Sequence, residues 1–166
     1  DIDGDVNGNE SVLRSRLWVN GQINEDWSYT GMFENEQDFG NETGDDDDLS
    51  LARAYVEGRV GGLDVVAGRY NEVPFSGNIL DANLDMAKVS YGDKVKVSAL
   101  AGKAYDTADN VLDNGSKYTL KDDDRIYIGS IEAALGDVDA YVAYFKTDSS
   151  LEKEIWNVGA SYGFGD

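Results

Sequence analysis

The sequence predicts an all-β fold, an antiparallel up-and-down β-barrel that crosses an outer membrane through its strands. Runs of about ten residues alternate apolar and polar side chains. Short and long connections also alternate between these runs. In transmembrane barrels every second residue of a strand meets lipid, tight turns lie at one rim and long polar loops lie at the other. Both patterns therefore predict the same fold class.

The size and charge of the chain narrow the choice of function. The chain has 166 residues and a net charge of -19, from 33 Asp and Glu against 14 Lys and Arg. This length allows either a small barrel or a soluble sandwich. The negative charge repels nucleic acid phosphates, so we expect no nucleic acid partner. Polar residues interrupt every apolar run well before the roughly twenty residues that a transmembrane helix needs.

The composition also disfavours catalysis. The chain has no His and no Cys, which removes the commonest general base, thiolate chemistry and disulfides. Pairs of carboxylates at suitable spacing arise by chance in so acidic a chain, so they are little evidence for glycoside hydrolysis. We therefore expect that the protein is not an enzyme.

The first four strands form two hairpins. The first strand covers Val12 to Ile23 and returns from Trp27 to about Gln37. After a long acidic loop, a third strand runs from Leu51 to Val60. The pair Gly61-Gly62 after this strand predicts a two-residue turn, because glycines tolerate the positive φ of tight hairpin turns. The fourth strand, Leu63 to Tyr70, has a less clear pattern, since Val65 and Val66 are both apolar.

Five more strands follow the same scheme, which gives about nine in all. They cover Ala82 to Tyr91, Lys94 to Tyr105, Arg125 to Leu135, Val138 to Lys146 and Ile155 to Phe164. The connection 106–124 is read as one long polar loop. Bacterial single-chain barrels close with an even number of strands. We therefore expect residues 1–166 to be a single segment of a partial barrel, truncated at both ends, with residues 1–10 as the tail of a polar loop.

The alternation assigns side chains to a wet and a lipid-facing side. A charge in hydrocarbon costs about 2 to 4 kcal/mol at the bilayer midplane, so charged residues of the strands should face the lumen. The predicted pore-lining residues are Arg14, Arg16, Glu34, Arg53, Tyr55, Glu57, Arg59, Arg69, Lys88 and Glu132. The predicted lipid-facing residues are Leu17, Val19, Tyr29, Phe33, Val56, Trp156, Val158, Tyr162 and Phe164. Paired charges on a wetted wall would explain any single lumen residue equally well.

Several segments resemble a known family. The stretch from Leu51 to Val60, LARAYVEGRV, is followed by VAGRY from Val66 to Tyr70. With LRSRL from Leu13 and KVSYG from Lys88, these segments resemble the barrel of outer-membrane porins that carry S-layer homology domains, the OmpM-like proteins of diderm Firmicutes. The resemblance implies a trimeric diffusion channel for small hydrophilic solutes in a bacterial outer membrane. It also implies a wall-binding N-terminal module, which this segment does not contain.

Acidic loops raise the question of calcium. Asp3, Asp5 and Asn7 match the first half of an EF-hand loop, but Arg14 stands where its bidentate Glu should be. The runs Asp45 to Asp48 and Asp122 to Asp124 could collect divalent cations, although charge runs in loops are most often solvated. We expect no cofactor, with calcium at these loops as a weaker alternative.

Two questions stay open at this point. Loop 71–81 contains the apolar pair Ile79 and Leu80, and it could fold into the pore or point outward. The function also has alternatives. A soluble acidic β-sandwich that binds carbohydrate or calcium would use the aromatic residues as a core or a sugar platform. A non-conducting anchor barrel in the outer membrane would need a packed interior.

Overall fold

The computed structural model describes residues 12–38, 49–72, 74, 80–105, 108–111, 117–148 and 152–163. Within these residues no helix has the length and apolarity needed to span a membrane. The described residues form eleven β-strands. Their bounds are β1 Val12–Gln22, β2 Trp27–Asp38, β3 Ser50–Val60, β4 Leu63–Glu72, β5 Ala82–Tyr91, β6 Val95–Ala104, β7 Ala108–Val111, β8 Lys117–Leu120, β9 Arg125–Leu135, β10 Val138–Asp148 and β11 Glu154–Tyr162.

Nine of the strands form one antiparallel up-and-down sheet. The order is β1-β2-β3-β4-β5-β6-β9-β10-β11, and each strand pairs with its neighbours in an antiparallel register. The prediction of an all-β sheet with about nine strands is confirmed. In the described part of the chain the sheet is not closed, because β1 and β11 lie at its two edges. The remaining strands, β7 and β8, pair with each other as a separate hairpin inside the connection that was predicted as one polar loop.

Short connections lie at one end of the sheet, which we call the turn end, and long ones at the other, the loop end. Gly61 and Gly62, between β3 and β4, have φ of 57° and 82°. This left-handed backbone is what a two-residue hairpin turn requires and what glycine adopts without strain. The same sequence signal therefore predicted both the turn and the direction of the returning strand.

The register divides the sheet into two faces. We call the face that carries the paired residues Leu17 and Phe33 the outer face, and the face that carries the paired Arg16 and Glu34 the inner face. Every buried residue of the nine-stranded sheet, from Met32 to Thr147, lies on the inner face. Apart from Trp18, Ile23 and Leu49, the exposed large apolar side chains of the described residues all lie on the outer face. The inner face therefore holds the buried residues of the sheet, and the outer face exposes many large apolar side chains.

A dry cluster covers the inner face near the loop end. It contains Leu84, Leu100, Ile126, Ile128 and Phe145 from β5, β6, β9 and β10. Tyr118 and Leu120 of the β7–β8 hairpin join it, and the rings of Tyr118 and Phe145 lie 5.8 Å apart. Burial raises the pKa of the Tyr118 hydroxyl above its ordinary value, so the phenol stays neutral. We call this set of residues the loop-end cluster.

Leu80 settles part of the question about loop 71–81. Its side chain is fully buried in the loop-end cluster against the inner face. The end of the loop next to β5 therefore folds inward, as one of the two alternatives proposed. Gly77, Asn78 and Ile79 lie outside the described residues.

Gly68 of β4 allows a test of the close approach between the backbones of β3 and β4. It has a φ of 126°, and a Cβ atom at this position would lie 2.3 Å from the backbone oxygen of Ala54 on β3. We expect Gly68→Ala to lower the free energy of unfolding by about 1 to 3 kcal/mol, because alanine would force β3 and β4 apart or leave the backbone strained. Denaturant titration followed by circular dichroism would measure it. Gly129→Ala is the matched control, since a Cβ there meets nothing within 4 Å, and equal losses in both variants would contradict the prediction.

Candidate functional site

The outer face holds the residues that the sequence predicted to face lipid. Leu17, Val19, Tyr29, Phe33, Val56, Trp156, Val158 and Tyr162 all lie there, whereas Phe164 lies outside the described residues. Trp156 is 72% exposed and Val158 is 74% exposed. In a β-sandwich this row of β11 would be buried against a second sheet. The described part of the structure places no second layer over it.

Aromatic side chains flank the apolar rows of the outer face. Near the turn end they include Trp27, Tyr29, Tyr91 and Tyr162, and near the loop end they include Tyr105, Tyr127, Tyr144 and Trp156. The rings of Tyr144 and Trp156 lie 4.9 Å apart. Between these two rows lie small and aliphatic residues such as Val97, Ile131 and Val142. Two aromatic rows around an apolar band are typical of outer-membrane barrels.

Ion pairs continue the outer face beyond the aromatic row at the loop end. Lys103 Nζ lies 2.5 Å from Asp123 Oδ1, and Lys146 Nζ lies 3.4 Å from Glu154 Oε1. Both pairs are largely exposed. Charges at this position mark where the apolar band of the outer face ends.

Arg69 corrects one prediction. It was expected among the pore-lining residues, but its register partner is Asp85, and both lie on the outer face. Arg69 Nε donates to Asp85 Oδ1 at 2.9 Å, and its guanidinium stacks on the ring of Tyr105. The prediction failed because Val65 and Val66 made both phases of β4 apolar. In the structure Val65 is outer and Val66 packs against the loop-end cluster.

The other nine predicted pore-lining residues lie on the inner face. They are Arg14, Arg16, Glu34, Arg53, Tyr55, Glu57, Arg59, Lys88 and Glu132. Most of the charged ones have partners of opposite charge or polar partners. Glu34 accepts from Arg16, and Arg59 Nη2 lies 2.8 Å from Asp64 Oδ1. The inner face is therefore a wall of compensated charges.

A groove of about 460 Å³ opens on this wall. Its lining comes from β3, β4, β5, β6 and β9, so the sheet curves around it. The charged lining residues are Arg53, Glu72, Lys88, Lys96 and Glu132. Lys88 Nζ lies 2.6 Å from Glu72 Oε1, whose residue is only 4% exposed. Lys96 and Glu132 face each other across β6 and β9. This groove is the candidate site.

Small polar residues leave room for the groove. Ser98 on β6 lies opposite Ser90 on β5 and Ser130 on β9, and all three are buried. The Ser98 hydroxyl donates to Ser90 Oγ at 3.0 Å. These short side chains lie between the loop-end cluster and the charged residues. They project little from the sheet, so they leave space for the groove. The sequence analysis did not name this row, Lys96 or Glu72, although Lys96 and Ser98 alternate regularly with Val95 and Val97.

Arg53 differs from the other arginines of the inner face. Its guanidinium carbon lies 5.5 Å from the centre of the Trp18 ring. Its Nε is buried and has no hydrogen-bond partner among the described residues. Trp18 is itself a large apolar side chain that is exposed on the inner face, at 45% exposure. The aromatic ring thus takes the place that a carboxylate occupies beside Arg16 and Arg59.

The structure adds little on metals. In the described ranges, no three acidic side chains converge as a metal site would need. Asp122 to Asp124 are described, and Asp123 pairs with Lys103 while an Asp124 carboxylate oxygen accepts from the Lys121 amide. Asp3, Asp5, Asn7 and the run Asp45 to Asp48 lie outside the described residues, so calcium there stays a prediction. A scan against models of known protein families finds no match to the chain, and a search of curated proteins finds none either.

Proposed function

We propose that this chain forms part of the wall of an outer-membrane porin that passes small hydrophilic solutes. The observation that carries the proposal is the contrast between the two faces of one sheet. The outer face exposes large apolar side chains, and the inner face carries ion pairs and a charged groove. Lipid on one side and water on the other is the environment that stabilises both faces at once.

The outer face supports a membrane environment. Exposed patches on soluble proteins are usually limited to a few hundred Å², because larger ones promote association. Here exposed apolar side chains run from β1 through β11, from Leu17 to Val158. The aromatic rows at both ends of the strands support the same environment. A soluble sandwich would have to cover this face with a second sheet.

The inner face supports passage of polar solutes. Cationic and anionic side chains at close quarters order water and favour solutes that carry charge or hydroxyl groups. The groove between β3 and β9 offers a polar path for solutes. The loop-end cluster lies beside it and would reduce the width of the channel near the loop end. The bacterial outer membrane, the trimer and further strands that close the sheet are parts of this proposal that rest on the family resemblance.

The loop-end cluster favours a second candidate, an anchor barrel that does not conduct. Leu80, Tyr118 and Leu120 bring loop residues into a dry core where a wide channel would be open. A packed interior is what such a barrel requires. The groove and its charges favour the porin instead, and the two candidates differ in one measurable property, conductance.

Recording from the intact protein in planar bilayers tests the proposal with single cysteines, since the chain has none of its own. We expect stable conductance steps in Lys96→Cys and in Val97→Cys. A charged methanethiosulfonate reagent should then change the conductance of Lys96→Cys alone. Lys96 lines the groove, whereas Val97, 50% exposed on the outer face, would be shielded by lipid. Insertion of the protein into the bilayer without any current, or equal labelling of both thiols in vesicles, would contradict the proposed porin function.

A further inference from the structure

We infer that the groove contains a binding site for a small organic anion with one carboxylate or phosphate group, and that Arg53 recognises that group. This inference deepens the proposed channel function and rests on it. It names a solute class for a protein whose net charge of -19 would otherwise repel anions.

The charges of the groove single out Arg53. Lys88 is neutralised by Glu72 at 2.6 Å, and Lys96 lies directly opposite Glu132 in the register of β6 and β9. Among the inner-face arginines that the structure describes, Arg14 and Arg16 lie near Glu34 and Arg59 lies near Asp64. Arg53 has no carboxylate within 4.0 Å in the described part of the chain. Lys96 has Glu132 as its register partner, whereas Arg53 lies opposite Met32. Among the groove's cations in the described ranges, Arg53 is thus the one with no carboxylate either within 4.0 Å or opposite it in the register.

The geometry of Arg53 suits an anion. Its guanidinium carbon lies over the Trp18 ring, 5.5 Å from the ring centre, which is within the range of a cation–π contact. Such a contact uses none of the N–H donors of the guanidinium, so they remain for hydrogen bonds to a solute. Its Nε is buried without a hydrogen-bond partner among the described residues, and Arg53 lines the groove. Two parallel N–H donors match the two oxygens of a carboxylate or a phosphate.

The remaining lining limits the size and adds specificity. A groove of about 460 Å³ lies within the range of small-ligand pockets and excludes large polymers. Tyr70, Ser98 and Ser130 also line it, and their hydroxyl groups can bond to hydroxyls of a solute. A hydroxylated organic anion such as a sugar acid therefore satisfies more of the groove than a bare inorganic ion does.

Titration calorimetry on the folded protein in detergent micelles tests the inference with three probes: gluconate, inorganic phosphate and neutral glucose. We expect gluconate to bind and glucose not to bind, and phosphate binding would show that the charge suffices without a carboxylate. Arg53→Gln should weaken anion binding at least about tenfold, because a charge-assisted hydrogen bond is lost. Arg53→Lys keeps the charge but not the paired donors, so its affinity for the anion should lie between the affinities of the wild type and of Arg53→Gln.

Arg59→Gln is the matched control. Arg59 lies on the same strand and face, but Asp64 already balances it, so its loss should leave gluconate affinity unchanged. Equal affinity in Arg53→Gln and the wild type, equal losses in both variants, or binding of glucose as tight as gluconate would overturn the inference. Circular dichroism confirms that each variant is folded. Because the micelle measurement needs no current, anion binding without conductance would contradict the channel alone, and conductance without anion binding would contradict this inference alone.

Discussion

Phe145→Ala is expected to lower the free energy of unfolding by about 3 to 5 kcal/mol, the usual cost of removing a large aromatic side chain from a packed core. Phe145 of β10 has no exposed surface and lies in the loop-end cluster with Leu84 and Ile126. Alanine would leave a cavity that the β-sheet backbone cannot close, because its hydrogen-bonded register with β9 and β11 holds the strand in place.

A second consequence of the same variant concerns the channel. Phe145 contacts Tyr118 of the β7–β8 hairpin, so its loss also loosens the hairpin from the inner face. If the chain lines the proposed channel, the loop-end cluster would narrow it, so we expect the unit conductance of Phe145→Ala to rise. Denaturant titration in micelles and bilayer recording measure the two effects.

The control is Trp156→Ala, which removes a larger side chain from the outer face of β11. Trp156 is 72% exposed on the outer face, so its loss leaves no cavity inside the protein and should cost less than the loss of Phe145. A cost for Phe145→Ala no larger than the cost for Trp156→Ala would mean that the loop-end cluster is not a packed core.

The sequence predicted the sheet well because its signals are local. Alternation over about ten residues specifies a strand and its two faces, and glycine pairs such as Gly61-Gly62 specify a turn. Both signals lie within a few neighbouring residues. Eight residues predicted to face lipid share the outer face, and nine residues predicted to line a pore share the inner face.

The same signals failed to assign the two faces of β4, because apolar residues occur at both alternating sets of positions in that strand. On β4 the inner residue Val66 packs on the loop-end cluster, so an apolar side chain occurs on the inner face that was predicted to be polar. Arg69 then falls on the outer phase, and Asp85 on β5 compensates its charge. That partner is sixteen residues away, and only the register reveals it.

The loop-end cluster could not be predicted for a related reason. Leu80, Tyr118 and Leu120 come from connections whose composition is mostly polar, and they join residues of β9 and β10 that are distant from them in the sheet order or in the chain. The groove beside them depends on the curvature of the sheet. Arg53 was predicted to face the lumen, but its contact with Trp18 joins β1 to β3 across an intervening strand.

Ile131→Arg tests the environment of the outer face most directly. Ile131 is 48% exposed in the middle of β9, opposite Val97 and Val142 on the neighbouring strands. In phospholipid vesicles we expect this variant to lose about 2 to 4 kcal/mol of folding free energy, the cost of arginine at the bilayer midplane. In water an exposed position on a sheet would tolerate arginine within about 0.5 kcal/mol.

Leu135→Arg is the depth control on the same strand and face. Leu135 is 63% exposed and directly precedes the turn at Gly136, so it would lie at the membrane interface. Arginine there should cost only about 0 to 1 kcal/mol, because the charged group reaches water. Guanidinium titration in vesicles measures both variants. The difference between them reports depth in a membrane, and small, equal losses at Ile131 and Leu135 would place the outer face in water and contradict the proposed porin.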